Sequence, residues 1–255
     1  MEIHILGAYR TESSSTHLVS LLVDGRLALD AGSLTAGLSF TQQQGIDAIL
    51  LSHHHFDHFR DIVTLGLSRA RVRSTPLYAM QTTLDALAYF FDGGRYYPDF
   101  FHWPKDLPVY EPYTVQPGVP LEVEGYRVEA HPVPHTVAAV GYQVTSPEGR
   151  RVFYSGDTGA GLAVCWPHVS PHLIITEVSG PERWRERLGP SGHLTPGMLK
   201  EELSQFRHLK GYLPPVVVVH INPTAREETA REVEAVSREV GTAITLGTEG
   251  MRLEV

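Results

Sequence analysis

The stretch Ser52-His53-His54-His55-Phe56-Asp57-His58 constrains this 255-residue chain more than any other. It follows Ile46-Asp47-Ala48-Ile49-Leu50-Leu51, an apolar run of buried-strand type, and spells His-x-His-x-Asp-His at His53, His55, Asp57 and His58. An imidazole offers a nitrogen lone pair and a carboxylate offers hard oxygens. Four such side chains within six residues therefore suit a divalent cation. Burying them at a strand end with nothing bound would leave polar atoms unpaired. A solvated His-rich loop is the plain alternative, and it does not explain the crowding behind a strand. The internal, interrupted placement argues against an expression tag.

Composition narrows the function. With 42% hydrophobic and 20% charged residues, the chain suits one large domain or an α/β fold of two similar halves. A net charge of −8 gives no broad positive field, so long nucleic acid is not an expected partner. A small anionic substrate stays compatible, because bound ions dominate the field at a metal site. The single Cys165 excludes an intrachain disulfide. Met1 to Gly7 lacks the basic start and long apolar core of a signal peptide, and no run reaches membrane-spanning length. A cytoplasmic protein without a membrane partner is expected.

Three later segments carry further ligand types beside expected strands: Pro134-His135-Thr136, Ser155-Gly156-Asp157-Thr158 and Val219-His220-Ile221-Asn222-Pro223. Together with the first motif they resemble the signature of the metallo-β-lactamase superfamily, over nearly the whole chain. The resemblance implies one α/β domain over residues 1–255, a four-layered αββα sandwich with one or two metals at the edge of its two sheets. Within the superfamily the sequence is most similar to class II cyclic-nucleotide phosphodiesterases and to tRNA-processing endonucleases of the ribonuclease Z type.

Carried over residue by residue, His53, His55 and His135 would hold a first metal and Asp57, His58 and His220 a second, with Asp157 bridging. Zinc is expected, and manganese or iron also suits these ligands. Considered alone, Asp157 would read as an N-cap. His131 competes with His135, which is preferred because His135-Thr136 leads into Val140-Gly141-Tyr142 as the resemblance requires. Asp30-Ala31-Gly32 resembles the superfamily's Asp-x-Gly element, which assigns Asp30 to supporting a ligand histidine. Gly192-His193-Leu194-Thr195-Pro196 resembles the His-x-Thr element of the two similar groups, where a histidine that binds no metal contacts the scissile phosphate or supplies a proton. The alternative is an exposed His193 before an N-capping Thr195. Asp57 and His193 are thus the expected catalytic residues.

The remaining pattern places strands at Glu2 to Leu6, Leu18 to Val23, Arg26 to Leu29, Pro76 to Met80, and Val216 to Val219. Hairpins are expected over Gly118 to Ala130 and Val140 to Tyr154, a strand at His172 to Thr176, and closing strands near Ala243 to Leu246 and Met251 to Val255. Helices are expected over Phe59 to Leu67, Gln81 to Phe91, Met198 to Arg207 and Ala225 to Val240. The polar loop Tyr9 to Thr16, with Ser13-Ser14-Ser15 and neighbouring His17, reads as a surface loop or as a segment facing the metals. Arg95 to Tyr113 is proline-broken yet rich in aromatic rings. It is expected either as a lid or partner-binding segment or as a loop packed on its own core or on a second subunit, so that a homodimer is one outcome.

Hydrolysis of a small phosphodiester such as a cyclic nucleotide, by water activated at a metal pair, is the favoured reading. A tRNA-processing endoribonuclease and a lactone, thioester or β-lactam hydrolase are the enzymatic alternatives. A metal-binding sensor or scaffold is the one that performs no catalysis.

Overall fold

A computed structural model describes every residue from Met1 to Val255. In chain order, its strands are β1 (Glu2–Gly7), β2 (Ser20–Val23), β3 (Leu27–Leu29), β4 (Ala48–Leu50), β5 (Thr75–Ala79) and β6 (Tyr110–Thr114). They continue with β7 (Leu121–Val123), β8 (Tyr126–Val133), β9 (Ala139–Thr145), β10 (Arg151–Tyr154), β11 (Leu173–Glu177), β12 (Val216–Val219), β13 (Ile244–Leu246) and β14 (Arg252–Glu254). They form two seven-stranded sheets, ordered β14-β1-β2-β3-β4-β5-β6 and β13-β12-β11-β10-β9-β8-β7.

The two sheets repeat one plan. Each has three antiparallel pairings followed by three parallel ones: β14/β1/β2/β3 then β3/β4/β5/β6, and β7/β8/β9/β10 then β10/β11/β12/β13. The first sheet is completed by β14 from the far end of the chain, so the halves are not two consecutive blocks as the sequence pattern suggests. Parallel strands covered on both faces should be apolar throughout, and β4 and β12 are buried at every residue. Alternate β4 side chains serve two cores. Ala48 and Leu50 enter the larger one, which joins both sheets, while Ile49 packs toward the helices over the first sheet.

The main helices are Phe56–Arg69, Gln81–Phe91, Pro196–Lys210 and Arg226–Val240. The first starts three residues earlier than expected, so Asp57 and His58 sit in its first turn. Strand β6 departs from the loop expected for this segment. The stretch from Arg95 to Tyr113 is anchored on the core at a few residues and leaves Tyr96, Tyr97, Trp103 and Tyr113 exposed. Phe100 and Tyr110 are fully buried, and the Tyr110 hydroxyl donates to the Ile62 carbonyl at 2.6 Å. No helix is long and apolar enough to cross a membrane.

One buried cation fixes the approach to the first ligand loop. Arg69, fully buried at the end of the helix that starts at Phe56, donates to the Thr75 hydroxyl at 2.8 Å, to the Ile46 carbonyl at 2.9 Å, and to the Gln43 carbonyl. It thereby ties the turn before β4 to the start of β5. Arg69→Ala should lower unfolding stability by about 3 kcal/mol, since it strands these acceptors and empties packed volume. Urea denaturation checks this, and a loss below about 0.5 kcal/mol would contradict it.

Candidate metal centre

The ligand-type side chains come from loops at the strand ends of both sheets. The turn after β4 supplies His53, His55, Asp57 and His58, the β8–β9 connection His135, the end of β10 Asp157 and the end of β12 His220. The ligand atoms of His53, His55, His135 and Asp157 lie within 4.8 Å of one another, as do those of Asp57, His58, Asp157 and His220. Asp157 belongs to both groups, the arrangement expected from the sequence. His131 is elsewhere. β8 runs on through Val133, and the His131 ring stacks on His168 at 5.9 Å.

Outer partners set which nitrogen of each ring faces inward. Nδ1 of His58 donates to Asp30 at 2.7 Å, and Nδ1 of His135 to the Gly192 carbonyl at 2.9 Å. Nδ1 of His53 faces the Ser52 hydroxyl at 3.0 Å, and because that hydroxyl donates to Asp30 at 2.8 Å, it accepts from His53. Nδ1 of His220 pairs with Ser179 at 2.8 Å. With Nδ1 protonated in His53 and His135, Nε2 carries the lone pair, whereas Nε2 of His58 and His220 faces the Asp157 and Asp57 carboxylates, where a cation would take the place of any proton it holds. The Nε2 atoms then converge on Asp157, at 3.2 Å from His58, 3.3 Å from His220, and 4.0 Å from both His53 and His135.

The residues fit divalent ions on a direct observation. Nε2 of His53, Nε2 of His58 and Oδ1 of Asp157 are buried without any hydrogen-bond partner. His58 Nε2 and Asp157 Oδ1 are close enough to bond yet not aligned to do so. Such unpaired buried atoms are costly, and a cation on each side of Asp157, one beside His53 and one beside His58, would satisfy them. The imidazole and carboxylate donor set suits zinc and related ions.

Electrostatics points the same way for three of the rings, while His58 would have to give up a proton to bind a cation. Burial, with the neighbouring His58 charge, holds His53 well below the usual imidazole value, and burial also lowers His55 and His135. These rings are therefore neutral at pH 7, as ligands must be. Burial opposes charge on His58 too, but Asp157 and Asp30 overcome it and push it well above the ordinary value. Burial would raise Asp57, yet the His220 hydrogen bond and the His58 charge hold it at about 2. Asp57 is thus a carboxylate at neutral pH, fit to ligate or accept a proton and unfit to donate one.

Backbone geometry is specialised here. Asp30 and His220 have φ of +56° and +59°, in the left-handed region that residues other than glycine seldom adopt. At Gly156 (φ +61°) a Cβ would lie 2.7 Å from the Cβ of Ser52, and at Gly192 (φ +73°) 2.8 Å from Nδ1 of His135. Only glycine lets these two turns approach the ligand loops.

His193 is 8% exposed, which removes the exposed-loop alternative. Thr195 occupies the N-cap position of the helix Pro196–Lys210 but makes no side-chain cap bond. Its hydroxyl donates to Glu182 at 2.6 Å, and Glu182 accepts the Gly197 amide at 2.8 Å in its place. Two residues at the site were not singled out in sequence. Glu177, fully buried at the end of β11, accepts from Nδ1 of His193 at 2.6 Å and from the Thr158 amide at 3.2 Å. Burial lowers the His193 pKa, but Glu177 outweighs it and the net shift is upward. Arg10 is the other. Its amide donates to the Ile221 carbonyl beside His220, its guanidinium makes no hydrogen bond or ion pair, and its charge reaches His193. Ser13, Ser15 and Thr16 are instead bonded among themselves, and His17 faces Glu12.

Asp30 accepts from the Ser52 amide at 2.7 Å, the Ser52 hydroxyl at 2.8 Å, His58 at 2.7 Å and the Tyr154 hydroxyl at 2.6 Å. Asp30→Ala should weaken zinc binding at the Asp57, His58 and His220 side about 10- to 100-fold. Chelator competition measures this directly, and wild-type affinity in the variant would refute the role given to Asp30.

A model of the β-lactamase superfamily domain matches residues 26–221. Among solved structures, YhfI from Bacillus subtilis, a metallo-β-lactamase fold protein, superposes with a TM-score of 0.75 at 18% identity, covering 100% of this chain and 99% of its own. Unliganded yeast PDE1 gives 0.80 at 16% identity, and the short form of human tRNase Z 0.68 at 17%, each covering 100% of this chain and 99% of the other. No curated protein sequence matches the chain. The matched domain model, the paired sheets and the clustered ligand residues together establish that the chain belongs to the β-lactamase superfamily and has the metallo-β-lactamase fold.

Proposed function

We propose that the chain hydrolyses a small phosphodiester, a cyclic nucleotide or a similarly compact diester, at two divalent ions held by His53, His55 and His135 on one side and Asp57, His58 and His220 on the other, with Asp157 between them. The observation that carries this reading is the buried Glu177–His193 pair beside Asp157. His193 Nδ1 is 2.6 Å from Glu177 and 3.9 Å from Asp157. Breaking a P–O bond to an alcohol expels an alkoxide, which needs a proton. An imidazolium steadied by a carboxylate can supply it.

Bound ions would supply a water acidified toward neutrality and positive charge for the phosphate oxygens. The protein's own part is orientation and proton transfer. Asp57, ionised and beside His220, can accept a hydrogen bond from the attacking water. As the oxygen of a water that has already lost one proton to solvent bonds to phosphorus and the P–O bond to the leaving alcohol breaks, the proton on His193 Nε2 passes to the departing oxygen, leaving a neutral imidazole. Glu177 holds Nδ1 and stabilises the charged ring beforehand. The unpaired guanidinium of Arg10 favours an anionic substrate.

The tRNA-processing alternative is weaker on charge, with −8 overall. The segment before His193 also folds into the short helical turns Glu182–Trp184 and Arg185–Leu188, whose Glu182 accepts from the Thr195 hydroxyl and whose Leu188 carbonyl accepts from the His193 amide.

Metal-loaded protein should hydrolyse bis(p-nitrophenyl) phosphate and a cyclic nucleotide. His193→Ala and Glu177→Gln should cut kcat on the cyclic nucleotide about 10²- to 10⁴-fold, and less on the nitrophenyl diester, whose leaving group needs no proton. Bound metal should stay at the wild-type level in both variants. Arg10→Ala should raise KM about ten-fold with kcat little changed. Turnover of a carboxylic nitrophenyl ester alone, indifferent to His193, would replace this reading with a lactonase or thioesterase. Bound metal without turnover of either ester class would favour a sensor or scaffold.

A further inference from the structure

On the His54 side of the metal-ligand cluster lies a cleft of about 300 Å³ that the chemistry above does not use. Its walls come from three places: His54 and Phe59 from the ligand loop and the helix it opens, Tyr89 and Phe90 from the helix Gln81–Phe91, and Arg95 and Tyr96 from the turn that follows. Location is its first notable property. His54 stands between two ligand-type residues, and its ring centroid is 6.2 Å from that of His55. The cleft therefore shares the wall formed by His54 with the loop that carries the ligand-type side chains.

Its chemistry is the second property. Phe59 is 5% exposed and meets Phe90 edge-on at 5.4 Å, with Phe56 at 5.5 Å from Phe59 and 6.1 Å from Phe90. These rings form one continuous aromatic wall. Tyr89 and Tyr96, by contrast, are 85% and 75% exposed, and both border the same cavity. Isolated exposed rings need no explanation, but two that frame a concavity beside a reactive centre do. Arg95 is paired with Asp92 at 3.0 Å, so the cleft's charge is balanced and it offers an anion little. The anion-binding groups lie at the metal-ligand cluster and Arg10. Flat aromatic faces, a guanidinium edge and an imidazole are what a neutral planar ring stacks against.

We infer that the cleft receives a planar aromatic or heterocyclic ring of the substrate, carried within a few bonds of the ester that reacts at the metal-ligand cluster. This rests on the proposed role of that cluster as the reacting centre, and it adds that recognition is divided: charge at the ions and Arg10, ring at His54, Tyr89 and Tyr96.

The test is equilibrium binding to zinc-loaded protein of two ligand pairs that differ only in a ring, phenyl phosphate against methyl phosphate and phenylacetohydroxamate against acetohydroxamate. Hydroxamates bind metal whatever the reaction class. At least one ring-bearing ligand should bind about ten-fold tighter than its partner, the size of one stacking contact. Ala86→Trp places a bulky ring in the cleft from the half-buried face of its helix and should abolish the preference, and Tyr96→Ala, at an exposed position, should reduce it several-fold. Bound zinc and the melting temperature are measured alongside, and both should stay at wild-type values. A ring preference among hydroxamates with no binding of either phosphate would uphold the cleft and count against the phosphodiester reading. Equal affinities within both pairs, absence of binding by both ring-bearing ligands, or a preference that survives both substitutions would overturn the inference.

Discussion

The buried carboxylate of Asp30 is the joint on which the site depends. It stands just past β3 in the first sheet and receives a hydroxyl from Tyr154 of β10 in the second, the backbone and side chain of Ser52 before the ligand loop, and the ring of His58 within it. One anion thus sets the spacing of the two sheets at the edge where the ligand loops emerge, and it fixes the tautomer of a ligand ring. Burying a carboxylate is costly unless each lone pair is used, and here four donors use them. Burial and Asp30 together push the Tyr154 hydroxyl well above its usual pKa, so it remains a donor.

From that joint the rest of the centre is an exercise in removing freedom. Four imidazoles each have Nδ1 occupied by a partner supplied by Asp30, Ser52, Gly192 or Ser179, so their Nε2 atoms point to a common volume before any ion arrives. Left-handed backbone at Asp30 and His220 places side chains where an ordinary strand end would not. Conformations of this kind are tolerated where the surroundings over-determine them, and His220 is flanked by the backbone pairing of Tyr9 with Ile221. The same pairing places the Arg10 backbone beside His220, so one strand-like contact between the N-terminal segment and the residue after β12 sets both positions.

The ligand-type residues were legible in sequence because their geometry is local. His53, His55, Asp57 and His58 share one turn, and His135, Asp157 and His220 each follow or adjoin a strand, where side-chain direction is set by position. The helices and most strands were legible for the same reason, as short-range periodicity. What was hidden depends on distant partners. Glu177 looked like the polar end of a buried strand, and only folding brings it to His193, sixteen residues on. Thr195 reads as an N-cap, but Glu182 takes that task and leaves the threonine as its donor. Strand β6 was masked by Pro112 amid aromatic residues. A proline is acceptable there because β6 is the edge of its sheet. The completion of the first sheet by β14 was equally unreadable, since nothing local marks a strand as belonging to the opposite end of the chain.

The central claim is that seven side chains from two sheets converge on a pair of ions bridged by Asp157. Anomalous diffraction at the zinc edge from crystals of zinc-loaded protein tests it most directly. Two peaks about 3.5–4 Å apart are expected, one among His53, His55 and His135 and the other among Asp57, His58 and His220, with Asp157 reaching both. Zinc found elsewhere on the molecule, or no peak among these residues at full loading, would contradict it.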